Sequence, residues 1–234
     1  MVTTKRIGTP GPDNDKLGGV PVFHYYNFAS KGRGEVIRLF FEDAGIAFDD
    51  VRYEFDEWNN KTPEQRAEIN PSGTFPFVQV GDKVHVQTYS MLRYYARQLG
   101  QYDGKTSEEK YFSDLITDVV SDWRTKFVDA NFATLPKGLV PGDNPAAVQN
   151  HKEYLMPRYY LDIIKLPYWE GVGSRHIPPD ADLVLWQMYH DERELGGPVE
   201  QLISKECPKL KKMIEAVESR PKLKEYWSSD RYYN

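Results

Sequence analysis

Short strand-like runs alternate with helical periods as far as Leu99, and from Ser107 onward only helical periods remain. Val22–Tyr26 is β-branched and aromatic, as a strand requires. Val36, Ile37, Leu39, Phe40 and Phe41 give Glu35–Ala44 the spacing of a partly buried helix, which Gly45 closes. Asp50–Phe55 alternates like a second strand, and Thr62–Ile69 reads as a short polar helix. The turn cluster Asn70-Pro71-Ser72-Gly73 precedes the strand Phe75–Val80, which opens on a proline. Gly81-Asp82 then reverses the chain into Lys83–Val86, a hairpin, and a helix runs from Thr88 or Tyr89 to Leu99. The order is β-α-β-α-β-β-α. Beyond it, helices are expected over Lys110–Phe127, Pro145–Lys165, Ala181–Glu194, Pro198–Ser204, Pro208–Ser219 and Lys222–Trp227.

A mixed α/β layer followed by helices alone implies two domains. The boundaries read as a flexible tail over 1–20, rich in Gly, Pro, Asp and Lys; an α/β domain over 21–100; a linker over 101–108; and an all-α domain over 109–234. The 234 residues suit one or two domains at roughly 100–200 residues each. With 40% hydrophobic and 28% charged residues the chain can bury a core.

A formal charge of −5 argues against nucleic acid as a partner, since its binders present a basic stripe. No apolar run approaches the roughly 20 residues of a membrane span, and Lys5-Arg6 leads into no apolar stretch of the kind a secretory signal needs. The expected location is the cytoplasm. The single cysteine, Cys207, allows neither an intramolecular disulfide nor a CxxC pair. The five histidines show no metal-ligand spacing, and no metal is expected.

The block Lys31-Gly32-Arg33-Gly34-Glu35-Val36-Ile37-Arg38-Leu39-Phe40-Phe41 resembles the first helix of cytosolic glutathione transferases. Phe75-Pro76 falls where that family keeps a cis-proline, and Gln87-Thr88 where it keeps a glutamyl-binding Gln-Ser. Cys207-Pro208-Lys209-Leu210 through Ser219-Arg220-Pro221 is similar to its final long helix. The resemblance covers about residues 21–228 and lies nearest the tyrosine-type, sigma-like classes. It implies a thioredoxin-like N-terminal domain that binds glutathione and an all-helical domain that forms the acceptor-substrate pocket.

Each site residue follows from that resemblance. Tyr25 matches the catalytic tyrosine, whose hydroxyl would bond the glutathione sulfur. On the strand, Phe23 and Tyr25 share one face while His24 and Tyr26 share the other. The loop Asn27–Ser30 is about two residues longer than in sigma-type enzymes, so Tyr26 and Ser30 stay open as alternatives to Tyr25. Arg33, in the first turn of the helix, would support the hydroxyl. Gly32 and Gly34 permit close packing or unusual backbone angles.

Phe75 would offer its backbone to the cysteinyl unit of glutathione, with Pro76 cis. Gln87 and Thr88, the latter a good N-cap type, would take the γ-glutamyl carboxylate. Trp58 and Lys61, or Arg66 as the cation, would take the glycine carboxylate. Asp122, sharing a helical face with Asp118, matches a residue that reaches across a homodimer to the glutathione α-amino group. The acceptor pocket is expected near Asn27–Ser30, near Trp123 and Phe127, and near the C-terminal tyrosines. The implied activity is addition of the glutathione thiolate to a small apolar electrophile. The alternatives are a non-catalytic glutathione-binding relative and an isomerase or peroxidase dedicated to one pathway.

Overall fold

A computed structural model describes residues 2–28, 31–131, 145–157, 179–194, 196 and 198–232. The chain divides into two compact units, 1–103 together with 219–234, and 104–218.

The first unit is built on a five-stranded sheet of order β1-β3-β2-β4-β5. Its strands are β1 (Thr3–Ile7), β2 (Val22–Tyr26), β3 (Phe48–Tyr53), β4 (Phe77–Val80) and β5 (Lys83–Val86). β2 and β3 are parallel, and the other pairs are antiparallel. Its helices are α1 (Pro12–Leu17), α2 (Gly32–Ala44), α3 (Phe55–Asn59), α4 (Pro63–Ile69) and α5 (Thr88–Leu99). The core is the apolar stripe of α2 against the sheet. Ile37, Leu39, Phe40 and Phe41 are fully buried with Phe23, Phe48 and Val78.

Residues 2–20, expected to belong to a flexible tail over 1–20, carry a strand and a helix. β1 runs antiparallel to β3 with Thr3 opposite Arg52 and Ile7 opposite Phe48. The strand escapes a pattern search because four of its five side chains are exposed. Its stability comes from the backbone ladder and the Arg6–Asp49 ion pair, neither of which imposes an apolar alternation. α1 is fastened by the buried Asn14, which donates to the Ala47 carbonyl at 2.8 Å and accepts from the Ala47 amide at 3.2 Å.

The second unit has no strand among its described residues. It contains α6 (Ser107–Asn131), α7 (Pro145–Asn150), a π-helical turn over His151–Leu155, α8 (Pro179–Glu194), α9 (Val199–Glu206) and α10 (Pro208–Glu218). The helix expected over Pro145–Lys165 is observed as far as Pro157, and the remainder lies outside the described residues. In the core, the carboxylate of Glu192 accepts from the Trp123 indole at 2.7 Å and pairs with His151 at 2.6 Å. Asp191 receives Arg124 and the Gln187 amide beside it.

The last helix, α11 (Pro221–Trp227), groups with the first unit although its sequence places it after the helical run. Tyr226 donates to the buried Glu35 at 2.6 Å, Arg231 pairs with Glu42, and Arg220 with Asp43. Helical periodicity announces such a helix but not the surface it covers. Glu35 also accepts from Arg38, which in turn bonds Asp50, and Arg52 bonds Asp50 at 2.7 Å. This network is almost wholly buried. Tyr226→Phe would leave a buried carboxylate oxygen short of a donor, a loss of about 1–3 kcal/mol. Urea unfolding followed by circular dichroism measures it. An unchanged midpoint would mean that the tyrosine does not anchor α11.

Candidate functional site

The strand directions gather the candidate residues of the first unit at one end of the sheet. β2 and β3 end there, as does β5, while β4 begins there. In register, His24 opposes Phe77 and Phe77 opposes Val86. Tyr25, the Phe75-Pro76 pair and Gln87 therefore follow or precede one transverse row.

Tyr25 is buried, with 7% of its surface exposed. Its ring lies against the first turn of α2, and two glycines make room for it. A methyl built on Gly34 would come within 2.3 Å of the ring carbon Cδ1. One built on Gly32 would come within 2.8 Å of the hydroxyl oxygen and 3.2 Å of the Phe28 ring. Gly32 also has φ of +73°, a region that favours glycine. The hydroxyl thus sits beside the N-terminus of α2, where first-turn backbone N–H groups and the helix dipole favour an anion. Beneath, the Arg38 guanidinium lies 4.9 Å from the Phe23 ring centre and 5.9 Å from that of Tyr25. Arg33 occupies the same first turn of α2, half-buried.

Tyr26 points to the opposite face. Its hydroxyl donates to Asn59 at 3.0 Å and its ring stacks on Phe55 at 4.6 Å. Burial, and then the neighbouring Tyr25, push its phenol above the ordinary value. The other alternative, Ser30, lies outside the described residues.

His24 shares the Tyr26 face and stacks on Phe77 at 4.2 Å, nearly parallel. Its Nδ1 is hydrogen-bonded to the Tyr53 hydroxyl at 3.0 Å, and its Nε2 is buried without a partner among the described residues. Burial pulls its pKa down to about 4 from 6.5. Below pH 6.5 the unfolded chain takes a proton that the folded chain refuses. His24 therefore makes stability fall from pH 6.5 down to about 4 and adds no further loss below that. His24→Phe, which keeps the stack, is expected to flatten that part of the curve when urea midpoints are measured across it. An identical pH slope would count against a neutral His24.

The Phe75–Pro76 peptide bond is cis, as the resemblance implies. The Phe75 ring is 6.4 Å from that of Tyr25 and 4.0 Å from that of Trp58. Among the described residues, nothing hydrogen-bonds the Phe75 amide or carbonyl. Trp58, on α3, is 2% exposed and also packs on Tyr53. Lys61 follows α3 and is half-buried, with no carboxylate paired to it among the described residues. Arg66 is committed elsewhere: it donates to the carbonyls of Trp58 and Asn59 at 3.3 and 2.8 Å, closing the C-terminus of α3. The sequence left these two cations undecided because both are three to eight residues from Trp58 in a polar stretch.

Gln87, not Thr88, is the N-cap of α5, and it takes φ of +71° and ψ of 104° without a side-chain cap bond. Thr88 is the first helical residue and is buried. A non-glycine residue in that region costs about 1–3 kcal/mol and is commonest at functional sites. The unusual turn exposes Gln87 at the start of α5, where first-turn amides have no partner within the helix.

Asp118 and Asp122 lie exposed on α6. Trp123 and Phe127, near which an acceptor pocket is expected, are buried in the second unit, and the Trp123 indole donates to Glu192. Among the described residues, no cluster of three or more His, Cys, Asp or Glu is arranged to hold a metal ion. Nor is any helix there long and apolar enough to cross a membrane.

A sheet of this order, a cis-proline before β4 and a tyrosine seated at the start of α2 define a thioredoxin-like domain coupled to a helical one. Comparison with known proteins gives the family. The glutathione S-transferase N-terminal domain matches residues 21–97 and the glutathione S-transferase C-terminal domain matches 180–230, together more than half of the chain. This chain belongs to the glutathione S-transferase family. Probable glutathione S-transferase 8 of Caenorhabditis elegans is 29% identical over 206 residues, 85% of this chain and 92% of that one. S-crystallin 3 of Enteroctopus dofleini is 31% identical over 113 residues, 46% of this chain and about half (49%) of that protein. The solved glutathione S-transferase of Ascaris lumbricoides superposes with a TM-score of 0.70 at 25% identity, covering 92% of this chain and 98% of that one.

Proposed function

We propose that this chain is a glutathione transferase that stabilises the glutathione thiolate and adds it to a small apolar electrophile. The single observation that carries the reading is the Tyr25 hydroxyl, held at the N-terminus of α2 by the absence of side chains at Gly32 and Gly34. A free thiol has a pKa near 8.5, so only a few per cent is anionic at pH 7. Each unit of lowering takes about 1.36 kcal/mol. One phenol donor to an anion supplies about 1.5–3 kcal/mol, enough for one or two units.

The rest of the tripeptide takes the residues gathered at the same sheet end. The unpaired backbone of Phe75, beside Pro76, receives the cysteinyl unit as an added strand. Gln87 and the first-turn amides at Thr88 receive the γ-glutamyl carboxylate. Lys61 is favoured over Arg66 for the glycine carboxylate because Arg66 is already bonded to α3. Trp58 supports that end, and Arg33 adds positive charge near the sulfur. Asp122 would reach the α-amino group of glutathione held by a second copy, in a cytoplasmic homodimer. No metal takes part in this reading.

A second reading has a specific support: relatives of this chain include proteins named S-crystallins. On that reading the chain binds glutathione as a scaffold and does not activate it. The ultraviolet absorbance of thiolate on adding glutathione near neutral pH separates the two. A transferase develops the band and turns over at least one class of aryl halide, enone or peroxide. Binding without the band would leave only the scaffold.

A further inference from the structure

Neither Tyr26 nor Arg66 touches glutathione in the reading above, yet both are bonded to the turn that carries Trp58 and leads to Lys61. We infer that they are positioning residues: they fix Lys61 for the glycine carboxylate and so give the site its preference for a free carboxylate there. The inference rests on the glutathione reading above.

α3 has five residues, little more than one turn. A helix so short is not stable alone, and its shape depends on what holds it. At its C-terminal end the Trp58 carbonyl accepts from the Lys61 amide at 3.1 Å and from Arg66 Nε at 3.3 Å. The Asn59 carbonyl accepts from Arg66 Nη2 at 2.8 Å. The Asn59 side chain accepts from the Tyr26 hydroxyl at 3.0 Å. The turn is thus tied to β2 on one side and to α4 on the other.

Both ties are themselves held. The Tyr26 ring stacks on Phe55, the first residue of α3, at 4.6 Å and meets Phe75 edge-on at 4.9 Å. Arg66 projects from α4, whose start is closed by a reciprocal cap. There the Gln65 amide donates to the Thr62 hydroxyl at 3.3 Å, and the Thr62 amide to the Gln65 side chain at 2.9 Å. Trp58 has further support from Tyr53 and Phe75. Lys61 lies between the two ties, on a long flexible stem. A fixed backbone there removes part of the ordering that binding would otherwise require. An ammonium so placed strengthens only ligands that carry an anion at the glycine end. The effect should therefore lie in selectivity at that carboxylate, not in the acidity of the thiol beside Tyr25.

The test compares the full chain with Tyr26→Phe, Arg66→Met and Lys61→Met, and with each of the first two combined with Lys61→Met. Kd is measured by calorimetry for glutathione and for its glycine ethyl ester, in which that carboxylate is blocked. The thiol of bound glutathione is titrated by ultraviolet absorbance. Tyr26→Phe and Arg66→Met are each expected to raise the glutathione Kd about three- to tenfold, the size of one hydrogen bond. The ester Kd should stay within about twofold, and the thiol titration should not move. Lys61→Met should act the same way at least as strongly, and neither second substitution should add to it. Tyr26→Phe keeps the ring and its stack, so it decides the matter if Arg66→Met fails to fold. Equal weakening of both ligands, or a shifted thiol titration, overturns the inference, since the two residues would then merely support the fold. So does an unchanged ratio of the two Kd values in Tyr26→Phe or in Lys61→Met. Losses that add when Arg66→Met joins Lys61→Met would make Arg66 a ligand in its own right, which also overturns it. A full chain that binds neither ligand sinks the glutathione reading, and the inference with it.

Discussion

Tyr25→Phe is expected to remove most of the thiolate that the glutathione complex forms at neutral pH, with kcat/KM falling about ten- to a hundredfold. The size follows from losing one hydrogen bond to an anion, about 1.5–3 kcal/mol. The ring itself should stay, since its neighbours contact carbon. Phe23 stacks at 6.2 Å, Phe75 meets it edge-on, and Gly34 borders Cδ1. Stability and glutathione affinity should therefore change little while the thiol titrates one to two units higher, nearer its free value. The measurement is ultraviolet absorbance of the complex against pH, beside kcat/KM for an aryl halide. Full thiolate in the variant would transfer the role away from Tyr25. Tyr26, bonded to Asn59 on the other face of the sheet, could not take it without leaving that partner. Tyr26→Phe run alongside is expected to leave the thiol titration in place.

Gly34→Ala is expected to damage both stability and chemistry. The new methyl would stand 2.3 Å from Cδ1, 2.5 Å from Cγ and 2.7 Å from Cε1 of Tyr25. These are ring atoms near the backbone rather than the tip of a flexible chain, so the ring cannot swing clear. It is also confined by Phe23 and by Arg38. Arg38 in turn is held by Glu35 and Asp50, which resists a shift of α2 as a whole. Overpacking of this kind costs about 1–3 kcal/mol. Whichever side yields, the hydroxyl leaves its place at the helix start, and thiolate formation should fall as in Tyr25→Phe. Gly11→Ala is the control, since a methyl there meets nothing within 4 Å. Thermal melting and the thiolate titration check both variants. A Gly34→Ala chain with unaltered melting and titration would sink the proposed seat of the tyrosine.

Between the two variants the roles of shape and chemistry separate. Tyr25→Phe keeps the ring and deletes the donor; Gly34→Ala keeps the donor and displaces the ring. If the thiolate depends on a hydroxyl at a fixed point, both lose it and only the second loses stability. If it depended on the helix amides alone, Tyr25→Phe would be silent.

The sequence by itself determined the order of strands and helices over 22–99 except for α3 (Phe55–Asn59), the start of which it read as the end of a strand, together with the change to helices after Ser107 and the family. Those features are local. Side-chain alternation along Val22–Tyr26 separates Tyr25 from Tyr26, apolar spacing marks α2, and the proline and glycine turns punctuate the hairpin. The cis bond before Pro76 was legible only through the resemblance, and the structure has it.

Only the tertiary structure decided which partner each segment takes. β1 carries no apolar alternation, because its stability lies in backbone pairing with a strand more than forty residues away. α11 reads as one more helix of the second unit until Tyr226 is seen on Glu35. Arg66 looked as available as Lys61 until its bonds to α3 were seen, and nothing local announces that the Trp123 indole meets Glu192. Local pattern states what a residue can form. Long-range packing settles what it meets, since burial and hydrogen-bond satisfaction are set by atoms far away in the chain.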